Sequence, residues 1–267
     1  MKRLLLFAGL IAGCRPPAPA ADPARLATLL AAGSWVDLSY SFDSTTIYWP
    51  TAQPFRLEVV SAQRTAAGYY YAANNIAAAE HGGTHLDAPV HFAEGKHATD
   101  QIPLDQLIGP AVVVDVTSQV TAEGADYQIT PQLLESAGVD SLAGKIVLFR
   151  TGWGDRWPDR ARYLGTAKTG PAAVPELHFP GIHPNAARWL RDRGVKAVGI
   201  DTPSIDYGQS QTFETHQLLF AADIPAFENV AHLDRLPATG AFVIALPMKI
   251  GGGSGGPLRI VAWIPNP

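Results

Sequence analysis

The chain has 267 residues, 47% hydrophobic and 16% charged, with 20 basic against 24 acidic side chains and a net charge of −4. That balance, without a basic tract in the body of the chain, excludes nucleic acid as a partner. The single cysteine, Cys14, excludes an internal disulfide, and the length suits one substantial core.

The first element is a leader. Met1-Lys2-Arg3 precedes a short apolar run from Leu4 to Gly13, with the length and flanks of a secretory signal rather than a membrane span. Leu10-Ile11-Ala12-Gly13-Cys14 resembles a bacterial lipobox, so residues 1–13 are expected to be a lipoprotein signal peptide and Cys14 the lipidated first residue of the mature chain. Its removal takes away Lys2 and Arg3 and no acid, making the balance more acidic still. Residues 14–32, Pro/Ala-rich at the start, are expected to be a tether, extended over Pro16–Pro23. Residues 33–267 form the remaining domain. The expected location is the periplasmic side of the cell envelope.

Within that domain, β-branched and aromatic runs predict strands at Val36–Tyr40, Phe55–Ser61, Tyr69–Ile76, Ala111–Val116, Ile146–Arg150, Ala197–Asp201, Phe242–Leu246 and Leu258–Ile264. Helical signals are fewer. Thr130-Pro131 reads as an N-cap with a first-turn proline, and Gly138 as a stop. Pro184–Gly194 has Ala186, Ala187 and Leu190 at helical spacing, and Thr212–Ala222 places Leu218 and Leu219 on one side. The sum is a single mixed α/β domain with more strand than helix.

Residues 81–91, His-Gly-Gly-Thr-His-Leu-Asp-Ala-Pro-Val-His, carry the chemistry. His81, His85, Asp87 and His91 are the nitrogen and oxygen donors that zinc, manganese or ferrous iron take in hydrolytic sites. Gly82, Gly83 and Pro89 argue against a helix. In an extended chain the four side chains share one face, and His85 and Asp87 stand about 6.6 Å apart, close enough to share an ion. His81 would be about 20 Å from Asp87 in a straight strand, so the glycine pair must fold the backbone back. His91 would stand about 13 Å from Asp87, a neighbour rather than a ligand of the same ion. His216 and Glu228 are the further candidates; Glu228 follows Ile224-Pro225-Ala226-Phe227, and a carboxylate in such apolar company is rarely buried unless paired or metal-bound. Asp201, Thr202, Ser204 and Asp206 read either as groups orienting ligand histidines or as a solvated turn. His97, His178, His183 and His232 read as surface or hydrogen-bonded residues. The Gly251–Gly256 run lacks the pattern of a phosphate loop and reads as a flexible turn near the pocket.

His81–Phe92, as His-x-Gly-Thr-His-x-Asp-x-Pro-x-His-Phe, resembles the cyclase superfamily that contains bacterial kynurenine formamidase and isatin hydrolase. The resemblance continues through Gly199–Asp206 and a His-x11-Glu-Asn element at His216 and Glu228-Asn229, spanning roughly Trp35 to the C-terminus. It implies a cyclase-type fold, swivelling β/α/β-like, and a metal-dependent hydrolase of a small amide, cyclic amide or imide. The implied centre is two zinc ions, with a single manganese as the alternative. His81, His85 and Asp87 would hold one ion; Asp87 and Glu228 would bridge to a second that His216 completes. His91 would be the general acid/base, and Trp49 an aromatic against the substrate, with Phe92 and Tyr69-Tyr70-Tyr71 as further wall candidates. Export points away from cytoplasmic tryptophan catabolism and toward isatin or another exogenous cyclic amide. The rival reading is a non-catalytic metal- or ligand-binding lipoprotein, which has no need of His91 beside the ions. The expected partners are a small-molecule substrate, the membrane through Cys14, and a second copy in a homodimer.

Overall fold

The β-branched runs form most of one eight-stranded sheet in the computed structural model, which describes residues 22–136 and 142–266. Twelve strands are seen among these residues: β1 (Gly33–Asp37), β2 (Arg56–Arg64), β3 (Tyr70–Ala77), β4 (His85–Asp87), β5 (Ile108–Asp115), β6 (Gln128–Ile129), β7 (Ile146–Arg150), β8 (Gly181–Ile182), β9 (Ala197–Ile200), β10 (Ala226–Glu228), β11 (Thr239–Pro247) and β12 (Gly255–Pro265). Seven helices accompany them: α1 (Pro23–Ala31), α2 (Leu104–Leu107), α3 (Thr117–Glu123), α4 (Pro131–Ser136), α5 (Arg160–Leu164), α6 (Pro184–Asp192) and α7 (Glu214–Phe220).

The large sheet runs β1-β12-β11-β5-β7-β9-β10-β4, and β4 also pairs with the start of β12. That last pairing closes seven strands into a barrel, with β1 added beside the far end of β12. Strands β5, β7, β9 and β10 are parallel, and the neighbours on either side are antiparallel. Alternation along each strand divides the core in two. Leu86, Val113, Leu148, Phe227, Val243 and Ile260 fill the barrel. Val112, Val147, Phe149, Val198 and Ile200 face outward and are covered by Ala187 and Leu190 of α6 and Leu219 and Phe220 of α7. The domain is thus single, mixed α/β and strand-rich, as expected.

The differences are local. Strands β4 and β10 are three residues each, too short to show a period, and the sequence reading gave them no strand. Part of the predicted tether, Pro23–Ala31, is helical: Asp22 accepts from the Ala24 amide at 3.0 Å and Pro23 fixes the first turn. The expected stop at Gly138 lies outside the described residues, as do the lipobox and the leader. Gly255 and Gly256, expected in a flexible turn, open β12 and pair with Asp87 and Leu86.

Candidate metal centre

The register of two short strands builds the site. Glu228 lies opposite His85, and Ala226 opposite Asp87, across the β4–β10 ladder. Leu86 and Phe227 therefore point into the barrel, while His85, Asp87 and Glu228 share its outer face. All three are buried.

His81 reaches this face through the glycine bend. Its Nδ1 stands 2.6 Å from Asp87 Oδ1, so the fold-back predicted from Gly82-Gly83 is present. A side chain on Gly82 would place its Cβ 2.1 Å from the Tyr48 ring, and Gly83 has φ +58°. The other ring nitrogen, Nε2, is 2.9 Å from Ser254 Oγ, and Ser254 in turn donates to Glu80 at 2.6 Å. Glu80 and Ser254 hold the His81 ring and aim Nδ1 inward; sequence reasoning missed them, because 173 residues separate Ser254 from His81. Gly255 permits the approach: a Cβ there would meet His81 Cε1 at 2.6 Å.

His216, the third residue of α7, arrives from the covering layer. Its Nδ1 donates to Asp206 Oδ2 at 2.6 Å, which leaves Nε2 at 3.2 Å from both Asp87 Oδ2 and Glu228 Oε1. Asp206 also accepts from the Thr215 and His216 amides, so one carboxylate fixes both helix start and ring. Of the two readings left open for Asp206, the histidine-orienting one is the observed one. Asp201 does something else: it accepts from Thr151 N, Thr151 Oγ1 and Gly152 N and pins that loop.

Two donor sets result, His81–His85–Asp87 and Asp87–His216–Glu228, each with ligand atoms within 4.8 Å of one another and with Asp87 common to both. The residues fit a cation. His85 Nδ1 bonds the Gly83 carbonyl at 2.9 Å, while its buried Nε2 faces Asp87 Oδ1 at 3.0 Å and Glu228 Oε2 at 3.5 Å without a well-aligned hydrogen bond to either. Burial and the neighbouring Asp87 push the Glu228 carboxyl up. Burial would pull His85 down, but Asp87 and Glu228 outweigh it and hold it at about 9. Two buried carboxylates this close call for positive charge between them.

His91 departs from the extended reading. Pro89–His91 form a single 3-10 turn, so the chain is extended only through Asp87. The turn stacks the His91 ring on His81, with centroids 3.9 Å apart and planes 17° from parallel. Burial, then the surrounding His81, His216 and His85, lower its pKa to about 4, against the pull of Asp87. It belongs to neither donor set.

A cavity of about 310 Å³ opens onto these groups. Trp49, Phe92 and Phe213 line its wall; Trp49 meets Phe213 edge-on at 6.2 Å, and Phe92 meets Phe213 at 5.3 Å. Trp49 and Phe92, the aromatic residues singled out in the sequence, both line this cavity; Phe213 was not anticipated. Tyr69, Tyr70 and Tyr71 do not line the cavity; they lie at the tip of the β2–β3 hairpin, exposed. Of the remaining histidines, His178 pairs with Asp126, His97 lies against Asp223, His183 caps α6 and His232 sits outside the cavity.

The match to known proteins decides the family. The Cyclase family model covers residues 36–207 of the chain. The chain belongs to the cyclase family. It is 34% identical over 210 residues to isatin hydrolase of Roseibium aggregatum, covering 74% of this chain and 77% of that one. It is 32% identical over 230 residues to kynurenine formamidase of Salinibacter ruber, covering 85% and 95% respectively. The solved structure of isatin hydrolase A from Ralstonia solanacearum superposes with a TM-score of 0.80 at 33% identity, over 94% of this chain and 99% of that chain. These relatives are hydrolases of C–N bonds other than peptide bonds, and this cyclase-family chain is an enzyme of that class. The cluster of His, Asp and Glu side chains marks it as metal-binding.

Proposed function

We propose that the chain hydrolyses a small aromatic amide, cyclic amide or imide, with His81, His85, Asp87, His216 and Glu228 holding two divalent cations. The observation that carries this reading is the pair of donor sets sharing Asp87 at the floor of an aromatic-walled cavity. Three imidazoles and two carboxylates suit zinc, with manganese as the alternative that elemental analysis separates. When bound, such an ion supplies Lewis acidity and lowers the pKa of water toward about 7.

The chain's own residues do the rest. Trp49, Phe92 and Phe213 take the flat apolar part of the substrate and turn its carbonyl toward the floor. Asp206 and the Glu80–Ser254 pair keep the His216 and His81 rings oriented. His91, outside both donor sets and open to the cavity, takes a proton from the attacking water and returns it to the leaving nitrogen, a step worth roughly 10²–10⁴-fold. We also propose that the protein is exported and lipid-anchored at Cys14 on the periplasmic side, where an exogenous cyclic amide such as isatin is a more fitting substrate than N-formylkynurenine.

Turnover of isatin, N-formylkynurenine, hydantoins and simple lactones should be measured with metal-loaded and with chelated protein. Hydrolysis of at least one amide or cyclic amide, abolished by chelation and restored by zinc or manganese, is the expected result. Metal binding without turnover of any of them would favour a non-catalytic binding lipoprotein instead.

A further inference from the structure

Helix α1 buries none of its own side chains. Leu26, Leu29 and Leu30 fall on one side of it at helical spacing, with Ala24, Ala27 and Ala31 on the other. The three leucines are 58%, 52% and 38% exposed. A helix of nine residues is marginal in water by itself, and such helices are normally held by packing of their apolar side.

A second apolar surface adjoins it. Trp35 of β1, Trp263 of β12 and Phe242 of β11 form one cross-strand row. Alternation turns the row away from the barrel, because Val36, Ala262 and Val243 point inward. Leu246 continues the outer face along β11. Trp35, Phe242 and Leu246 are 46%, 40% and 42% exposed. Trp263 joins the two surfaces. Its indole N–H donates to the Leu30 carbonyl at 3.1 Å, and its ring occupies the space above Gly33, where a Cβ would meet it at 2.3 Å. Helix and row together expose apolar area on the order of 500 Å², a size that marks an interaction surface.

We propose that α1 and the Trp35–Trp263–Phe242 row rest on the phospholipid bilayer to which the chain is tethered, a proposal that rests on the lipid-anchor reading of Cys14. Cys14 lies eight positions before Asp22, the cap of α1, so at most about 29 Å of chain separates them. A tether this short holds the face at about millimolar effective concentration against the bilayer, and a contact too weak to capture free protein is then occupied. The residue types suit the headgroup–acyl boundary: flat indole rings at the level of the headgroups, leucine and phenylalanine below them. Among the described residues no helix is long and apolar enough to cross a membrane, so α1 lies along the surface. Charge contributes little. Arg25 is the one basic residue of α1, and Arg259 on the outer face of β12 is paired with Asp37. The contact therefore needs no anionic lipid and resists salt. Docking at helix and row together gives the catalytic domain one orientation on the membrane.

Vesicles carrying a maleimide lipid test this without any cellular lipidation, so the docking and the anchor reading fail separately. The chain from Cys14 onward, which holds every described residue, is coupled through that single thiol to phosphatidylcholine vesicles with brominated acyl chains. Bromine should quench part of the tryptophan emission, and salt at about 1 M should leave that quenching unchanged. W35F together with W263F should remove the bromine-sensitive emission, whereas W189F, on α6, should leave it in place. Amides of residues 24–31 should exchange at least about 10-fold more slowly on the tethered chain than on the same chain left free. L26E together with L29E should abolish both the quenching and the slowed exchange by placing charge at an apolar boundary. A tethered chain whose tryptophans bromine does not reach overturns the proposal, as does unchanged quenching in L26E/L29E. Loss of self-association in L26E/L29E without bromine quenching assigns the face to a second copy and also overturns it.

Discussion

The Asp206 carboxylate and the His216 ring meet at 2.6 Å through Nδ1, and this one bond decides which nitrogen of His216 faces Asp87 and Glu228. Asp206→Asn offers a neutral and less selective partner. Affinity of the Asp87–His216–Glu228 set for its ion should fall about 10–100-fold, the usual effect of losing such an orienting group. Chelator competition checks this, and equal affinities in variant and parent would remove Asp206 from that role.

Because Asp87 belongs to both donor sets, Asp87→Ala should strip metal and activity together. His178→Ala, an exposed histidine paired with Asp126, should change neither. Elemental analysis showing full occupancy in Asp87→Ala would contradict the shared-ligand assignment.

His91→Ala separates ligand from proton carrier. Metal content should stay while kcat for an amide drops roughly 10²–10⁴-fold. An activated ester, whose leaving group departs without protonation, should suffer less. Parallel loss of metal and of both activities would make His91 an ordinary ligand.

Gly83 combines φ +58° with a wall: an added Cβ would sit 2.6 Å from the Phe42 ring. Gly83→Ala should cost about 1–3 kcal/mol or more in unfolding free energy. Gly95→Ala, at φ +77° with nothing within 4 Å, supplies the backbone cost alone. A Gly83→Ala midpoint no lower than that of Gly95→Ala would show that the contact relaxes.

Cys14→Ser tests the anchor. In bacteria the variant should leave the membrane fraction or accumulate as precursor, and unchanged fractionation with fatty-acid labelling would defeat the lipobox reading.

The sequence by itself determined the donor types and the local bend. His85 and Asp87 share a face because alternation is a property of any extended backbone, and Gly82-Gly83 announces a fold-back because few other residues follow that path. The runs that became β5, β7, β9, β11 and β12 were legible because their signal, a continuous or alternating apolar and β-branched stretch, is written in adjacent residues. Partners far apart in sequence were not. That β4 pairs with both β10 and β12, closing the barrel, follows from packing of the whole sheet, since three-residue strands carry no periodic signal. Ser254 beside His81 and Phe213 in the cavity wall depend on that closure and on α7, and no local pattern marks them. His91 was assigned a neighbouring role, but the turn that stacks it on His81 was read as extended chain, because Pro89 is compatible with both. The tertiary structure alone showed that Tyr69, Tyr70 and Tyr71 stand exposed on the β2–β3 hairpin and do not line the cavity, because a run of aromatic residues in a strand does not say which surface it faces.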